Sequence, residues 1–326
     1  MSISTDKAII LKNALKMGFG TFAHKNFKLL SVKTAVHDGD TVKVRLSGNF
    51  SVRFLGIDTP EMTLQYPKIG SADDGDWLSV DKFESYLQDP FSDNYKDSQD
   101  FKDSLGLGLV EYLDTVLVAD CAKIHRQFAE EAQRVLENMI IAEYSERAEK
   151  GKHFDFFMAF ANEILDGYGR LLCYLYRNNT KTEREANPLS YNERILKQGW
   201  GFPCFIWPNV VPFFAAGKSI SDSMPPADEL EDFMTSSQAK KLNDARDHVR
   251  KARSDGLGVF SHKMLLPCEL RYLSRRKAPS RYVLNLETCE KKLVEPTEYY
   301  TIPNSEDRLF IDSHYVDLFL KKGYEL

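Results

Sequence analysis

The chain has 326 residues, 43% of them hydrophobic and 28% charged, a balance that excludes disordered, collagenous and fibrous classes and leaves apolar material for one large core or two modest ones. Lys and Arg total 43 against 48 Asp and Glu, so at a net charge of −5 the chain as a whole is no general polyanion binder, and any contact with nucleic acid has to be local. Apolar runs are short, as in Ala8 to Leu11 before Lys12, whereas a bilayer span takes about 20 apolar residues; no membrane span is expected.

The break at Lys12 also removes the apolar centre of a secretory signal, so an intracellular, cytoplasmic protein is expected. The acid-poor start with Lys7, Lys12 and Lys16 leaves an organellar leader open, but an ordinary amphipathic helix over residues 1–26 is the expectation. Residues 28–57 read as a three-stranded meander, Lys28 to His37, Thr41 to Leu46 and Phe50 to Ile57, joined by Asp38-Gly39-Asp40 and Ser47-Gly48-Asn49. Residues 66–120 hold eleven Asp and two Glu against four Lys and no Arg, a net −9 that leaves the rest of the chain at +4. That composition predicts an inserted, solvated acidic loop with little core of its own before Leu105.

From 121 to 150 a helical period returns, with Phe128, Ala132, Val135, Leu136, Met139 and Ile140 on one face. Strands are expected at Phe154 to Phe160 and Leu171 to Tyr176, and a helix from Pro188 to Gln198 capped by Gly199. The Pro-spaced run Phe202 to Phe214 reads as a loop, a helix follows around Gln238 to Arg253, and residues 261–326 form an extra module. Within that module Lys263 to Arg281 carries Lys263, Arg271, Arg275, Arg276, Lys277 and Arg281 against Glu269 alone, a net +5 that fits either a track for a nucleic-acid backbone or a solvated face. Five cysteines, an odd number without C-x-x-C spacing, read as buried thiols, and seven scattered histidines give no metal-site spacing.

Three clusters carry chemistry: Asp38-Gly39-Asp40-Thr41, then Arg53 with Gly56-Ile57-Asp58-Thr59-Pro60-Glu61, then Asp166-Gly167-Tyr168-Gly169-Arg170. Each alone is an ordinary turn. In order, Asp40 opens one strand and Asp58 closes the next but one, and strands this short can bring both carboxylates to the same end of a barrel, where with a carbonyl they suit a hard cation such as Ca²⁺. Arg53 and Arg170 are guanidinium forks of the kind that hold phosphate oxygens at two points, and Glu61 is a carboxylate placed to face water.

These residues, in HDGDTVKVRL, VRFLGIDTPE, DGYGRLLCYLY and ILKQGWGF, resemble the staphylococcal nuclease (thermonuclease) family, closely over residues 28–62 and loosely over 121–260. The resemblance implies an α+β fold with a five-stranded OB-fold barrel and three helices over residues 27–260, interrupted by the 66–120 insertion, with 1–26 and 261–326 outside it. It implies that Asp40, Asp58 and the Thr59 carbonyl bind Ca²⁺ with Asp38 behind them. Arg53, Glu61 and Arg170 would be catalytic, and Tyr168, Leu172 and Phe205 would contact substrate. The implied activity is hydrolysis of DNA and RNA with little sequence preference, leaving 3′-phosphates. Two positions depart from the family pattern: Gly167 stands where a lysine precedes the tyrosine, and Phe205 stands at a base-stacking tyrosine. The alternative kept beside this is a non-catalytic barrel that binds nucleic acid or protein; a protein partner for the insertion or the C-terminal module is a further possibility.

Overall fold

Short β-branched and aromatic runs separated by Gly, Asp and Ser turns build an α+β architecture in the computed structural model, which describes residues 9–10, 16–21, 36–45, 49–151, 154–166, 168–177, 181–186, 188–210 and 220–326. The described residues carry thirteen strands. They are β1 (Ile9–Ile10), β2 (Lys16–Thr21), β3 (Val36–Asp38), β4 (Thr41–Arg45), β5 (Asn49–Phe54), β6 (Gly56–Asp58), β7 (Thr63–Gln65), β8 (Trp77–Ser79), β9 (Asp155–Ala159), β10 (Leu171–Arg177), β11 (Phe202–Trp207), β12 (Arg281–Asn285) and β13 (Arg308–Asp312). They fall into a seven-stranded sheet ordered β1-β2-β9-β10-β5-β4-β3, a four-stranded sheet ordered β12-β13-β11-β6 and the pair β7-β8. The strands are thus spread over three sheets, where one five-stranded barrel was expected.

Two differences from the sequence reading enlarge the sheets. Ile9–Ile10 and Lys16–Thr21 are strands in the region expected to be helical: β2 pairs antiparallel along β9, from Met17 opposite Ala159 to Thr21 opposite Asp155, and meets β4 where Thr21 faces Arg45. An unpaired β9 edge offers backbone donors and acceptors that a helix cannot satisfy. The proline-bearing run expected as a loop is β11, paired with β6 on one side and β13 on the other; Pro203 lies opposite Ile57, and the β13 pairing starts only at Phe205. Most of the expected strand over 28–37, and Gly167, lie outside the described residues.

Six helices matter to the site: α1 (Ser98–Leu105), α2 (Leu107–Val116), α3 (Cys121–Glu149), α4 (Tyr191–Lys197), α5 (Lys240–Ser254) and α6 (Pro267–Arg275). The expected stripe on α3 packs inward: Leu136 and Ile140 join Val52 and Phe54 of β5, Phe156 and Met158 of β9, Leu175 of β10 and Ile195 of α4 in one core. Helix α4 begins in a capping box, Ser190 Oγ accepting from the Glu193 N–H while the Glu193 carboxylate accepts from the Ser190 N–H, and it ends at Gly199, whose φ of +74° is the left-handed cap expected there.

The acidic stretch is not a solvated loop. Phe101, Leu105, Leu109, Leu113 and Val116 follow a helical spacing through α1 and α2 and are buried. With Val80, Phe83 and Tyr86 they form one core with Leu265, Leu270, Leu273 and Tyr299 from beyond residue 260. Every Asp of the stretch except the half-buried Asp81 is exposed, so the acid lies on the outer faces and hides the apolar period from composition. The Asp73-Asp74-Asp76 cluster is a turn: the Asp74 carboxylate accepts from the N–H groups of Ile69, Gly70 and Ser71, which hold it below its ordinary pKa. Residues 281–312 extend the sheet of β6 through β13 and β12. Among the described residues no helix is long and apolar enough to cross a membrane, and all five cysteines are free thiols.

Candidate active site

The pairing of β4 with β5 sets Thr41 opposite Arg53, which brings Asp40, at the mouth of the Asp38-Gly39-Asp40 turn, beside the arginine; the Phe54 N–H donates to the Asp40 carbonyl at 2.9 Å. Gly39 is required by close approach, since a Cβ there would stand 2.7 Å from the Ala132 Cβ on α3 and 2.9 Å from the Thr59 methyl. After Phe54 the chain breaks direction at Gly56, at φ +75°, where a Cβ would meet the Tyr174 hydroxyl at 2.9 Å. Asn192 of α4 fixes that break, donating to the carbonyls of Leu55 (2.9 Å) and Cys173 (3.1 Å) and accepting from the Leu175 N–H (3.0 Å). Strand β6 then runs antiparallel to β11 and ends with Asp58 opposite Phe202.

These constraints gather the charged groups. Arg53 Nη2 donates to Asp58 Oδ1 at 3.1 Å and lies 3.6 Å from Asp40 Oδ2, and both aspartates are 3% exposed. The Thr59 N–H donates to Asp40 Oδ2 at 3.3 Å, and the Asp40 N–H donates to Asp38 Oδ1 at 3.3 Å, so the second acid of the turn supports the first. A further arginine enters from α6: Arg271 Nη2 donates to Asp58 Oδ2 at 2.6 Å, and its Nη1 donates to Asp58 Oδ1 at 3.0 Å and to Glu61 Oε1 at 2.5 Å. Behind Glu61, its own N–H donates to His125 Nε2 at 2.8 Å.

The electrostatics follow from burial against pairing. Asp40, more than Asp58, holds Arg53 above its ordinary pKa against the pull of burial. Burial lowers Arg271, but Asp58 and Glu61 outweigh it and hold the guanidinium well above its usual value, so both arginines are charged. Burial raises the Glu61 carboxyl, with Arg271 opposing. Burial, helped by Arg271, pushes His125 down to about 3, so it is neutral at physiological pH and accepts through Nε2.

The other expected site residues divide. Arg170 comes just before β10, whose parallel register puts Leu172 opposite Arg53, so Arg170, Leu172 and Arg53 share one sheet face. Its side chain, however, is held by Asp166, Nε to Oδ2 at 2.6 Å, and packs 5.6 Å from the Tyr168 ring, which is 74% exposed. Leu172 is half-buried. Phe205 is not a stacking surface: it is 2% exposed, opposite Leu309 in the core of the four-stranded sheet, because the run expected as a loop is a strand. Of the basic stretch, Arg276 lies 4.6 Å over the Phe101 ring and donates to the Pro90 carbonyl, and Arg281 pairs with Asp312 at 2.8 Å. With Arg271 in the site, half of its cations serve internal contacts.

The donor chemistry suits a hard divalent cation, for Asp40 and Asp58 are buried, oxygen-bearing and directed at one guanidinium, and with Glu61 they outnumber Arg53 and Arg271. Among the described residues no three His, Cys, Asp or Glu side chains converge to hold a metal ion, so the side-chain ligands the site could offer a cation are the two carboxylates of Asp40 and Asp58. Two site residues escaped the sequence reading. His125 had a signal, lying three and seven residues before Phe128 and Ala132 on the inward face of α3. Arg271 had none beyond the basic stretch. No family model and no curated protein matches the chain.

Proposed function

We propose that the chain is an intracellular, Ca²⁺-dependent phosphodiesterase of the staphylococcal nuclease type, hydrolysing DNA and RNA with little sequence preference and leaving 3′-phosphates. The observation that carries this reading is the meeting of Asp40, Arg53, Asp58 and Glu61 around one buried point, in the order and spacing of the family's motifs. The run of neighbours β3-β4-β5-β10-β9, with β2 touching both β9 and β4, supports an OB-type barrel at the heart of the seven-stranded sheet.

Asp40, Asp58 and the Thr59 carbonyl would hold Ca²⁺, which when bound supplies positive charge against the charge that grows on the phosphate. Arg53 stays protonated throughout and holds a phosphate oxygen more tightly as its charge develops, the differential binding that lowers a barrier. Glu61 takes or orients the proton of the attacking water, and its raised carboxyl moves toward the range a general base needs. Arg170 reaches substrate by leaving Asp166, and exposed Tyr168 beside it contacts the next phosphate.

The test is digestion of plasmid DNA and of RNA with Ca²⁺ and with chelator. Chelation abolishes cleavage, and Arg53→Ala and Glu61→Gln each lower it by about 10²-fold or more; undiminished cleavage in both variants would end this reading. A second reading, a binding module without catalysis, is favoured by the engagement of both Asp58 oxygens by Arg271 and of Arg170 by Asp166. Nucleic acid bound but uncut with Ca²⁺ present supports it.

A further inference from the structure

Helix α6 is an anchored element. Pro267 occupies its first turn, the Glu269 carboxylate accepts from the Leu266 N–H at 2.7 Å, and Leu270 and Leu273 are fully buried among the side chains of residues 64–122. The Tyr86 hydroxyl donates to the Leu273 carbonyl at 2.8 Å, and Ser274 Oγ donates to the Gln65 carbonyl. Arg271 is therefore delivered to the carboxylates by a packed helix and not by a surface arm.

The fork it makes is the strong form of such a contact, two near-parallel N–H groups on the two oxygens of one carboxylate. Asp58 Oδ2 accepts from Arg271, and Asp58 Oδ1 accepts from Arg271 and Arg53 together. Glu61 is bound by the same guanidinium. A divalent cation that takes Asp58 Oδ2 has to share it with the Arg271 N–H, and one that takes Oδ1 meets two guanidinium N–H groups already there, so cation and guanidinium contend for the same oxygens. We infer that Arg271 is a resident cation that competes with the divalent metal for Asp58 and Glu61, so that the chain's own C-terminal segment sets the metal affinity of the site. This rests on the calcium reading above and adds the residue that tunes it.

The experiment is calorimetric titration of CaCl₂ into the full chain, into Arg271→Met and Arg271→Lys, and into Arg271→Met carrying Asp58→Asn, with thermal melting of each in the presence and absence of Ca²⁺. Methionine keeps the apolar stem and removes the fork; lysine keeps one charge at a single point. Arg271→Met is expected to bind Ca²⁺ at least about tenfold more tightly than the native chain and Arg271→Lys at least about threefold, each with a larger Ca²⁺-dependent rise in melting temperature. Adding Asp58→Asn abolishes the gain. If Arg271→Met does not fold, Arg271→Lys decides by the same criterion. Equal or weaker binding in the Arg271 variants, removed by Asp58→Asn, overturns the competition and leaves the calcium reading standing; no binding by any of the chains overturns both.

Discussion

Arg271 grips both carboxylate oxygens of Asp58 from 213 residues further along the chain. Two charges so buried, Asp58 at 3% exposure, lose much of their hydration, and their attraction offsets that loss only because the geometry is bidentate and Arg53 and Glu61 share the network. The contact therefore says more about how one segment is registered on the other than about net stability. It ties α6, and through it the core beneath residues 66–120, to the turn that carries the carboxylates.

His125 is expected to make the fold acid-sensitive. It is 1% exposed, neutral with a pKa of about 3, and accepts from the Glu61 N–H. Between the ordinary histidine value and that depressed one, the unfolded chain binds a proton that the folded chain refuses, so stability falls as pH falls, by up to about 1.4 kcal/mol per pH unit from this group. His125→Gln, which keeps an acceptor and cannot titrate, is expected to flatten that part of the curve. Urea unfolding at stepped pH from 7 to 4 measures it, and parallel curves for the two chains refute it.

The stretch 66–120 and the segment beyond 260 share apolar surface, so neither is dispensable to the other. Leu273→Ala, at a fully buried position of α6, is expected to cost about 2–5 kcal/mol. Deleting residues 67–118 uncovers Leu265, Leu270 and Tyr299 as well, and limited proteolysis is expected to cut the segment from 261 onward at least tenfold faster than in the native chain. Unchanged protection after the deletion contradicts this account.

Gly39 is held by space. A methyl group there would lie 2.7 Å from the Ala132 Cβ and 2.9 Å from the Thr59 methyl, neither of which is the end of a long side chain that can swing away. Gly39→Ala is expected to cost about 1–3 kcal/mol through overpacking and, if the proposed phosphodiesterase activity holds, to lower cleavage more than stability predicts by lifting the turn off α3. Cleavage assayed well below the melting temperature separates the two effects, and native activity in the variant argues against the tight turn as the support of Asp40.

Much of the architecture near the site is legible locally. The strand at 155–159, the strand at 171–177 and the long α3 stripe from Phe128 to Ile140 all follow from short-range period, and Gly199 marks the end of α4 because only a left-handed cap fits there. What misled was averaging. Eleven aspartates in 66–120 outweigh Phe101, Leu105, Leu109 and Leu113 in composition, though those four stand one helical turn apart and are buried. Prolines made 202–207 look like a connection, yet β6 and β13 on either side convert it into an inner strand, which buries Phe205.

The sequence by itself determined the identity and spacing of the charged set, Asp38, Asp40, Arg53, Asp58 and Glu61, because those residues lie within two hairpin lengths and their turns are written in Gly39 and Gly56. Only the tertiary structure decided what faces them. His125 and Arg271 arrive from helices 64 and 210 residues away from Glu61, and Arg170 turns to Asp166. Local periodicity records which side of a helix is apolar, whereas the partner of a buried charge is chosen by the packing of whole segments, and no short-range pattern carries that choice.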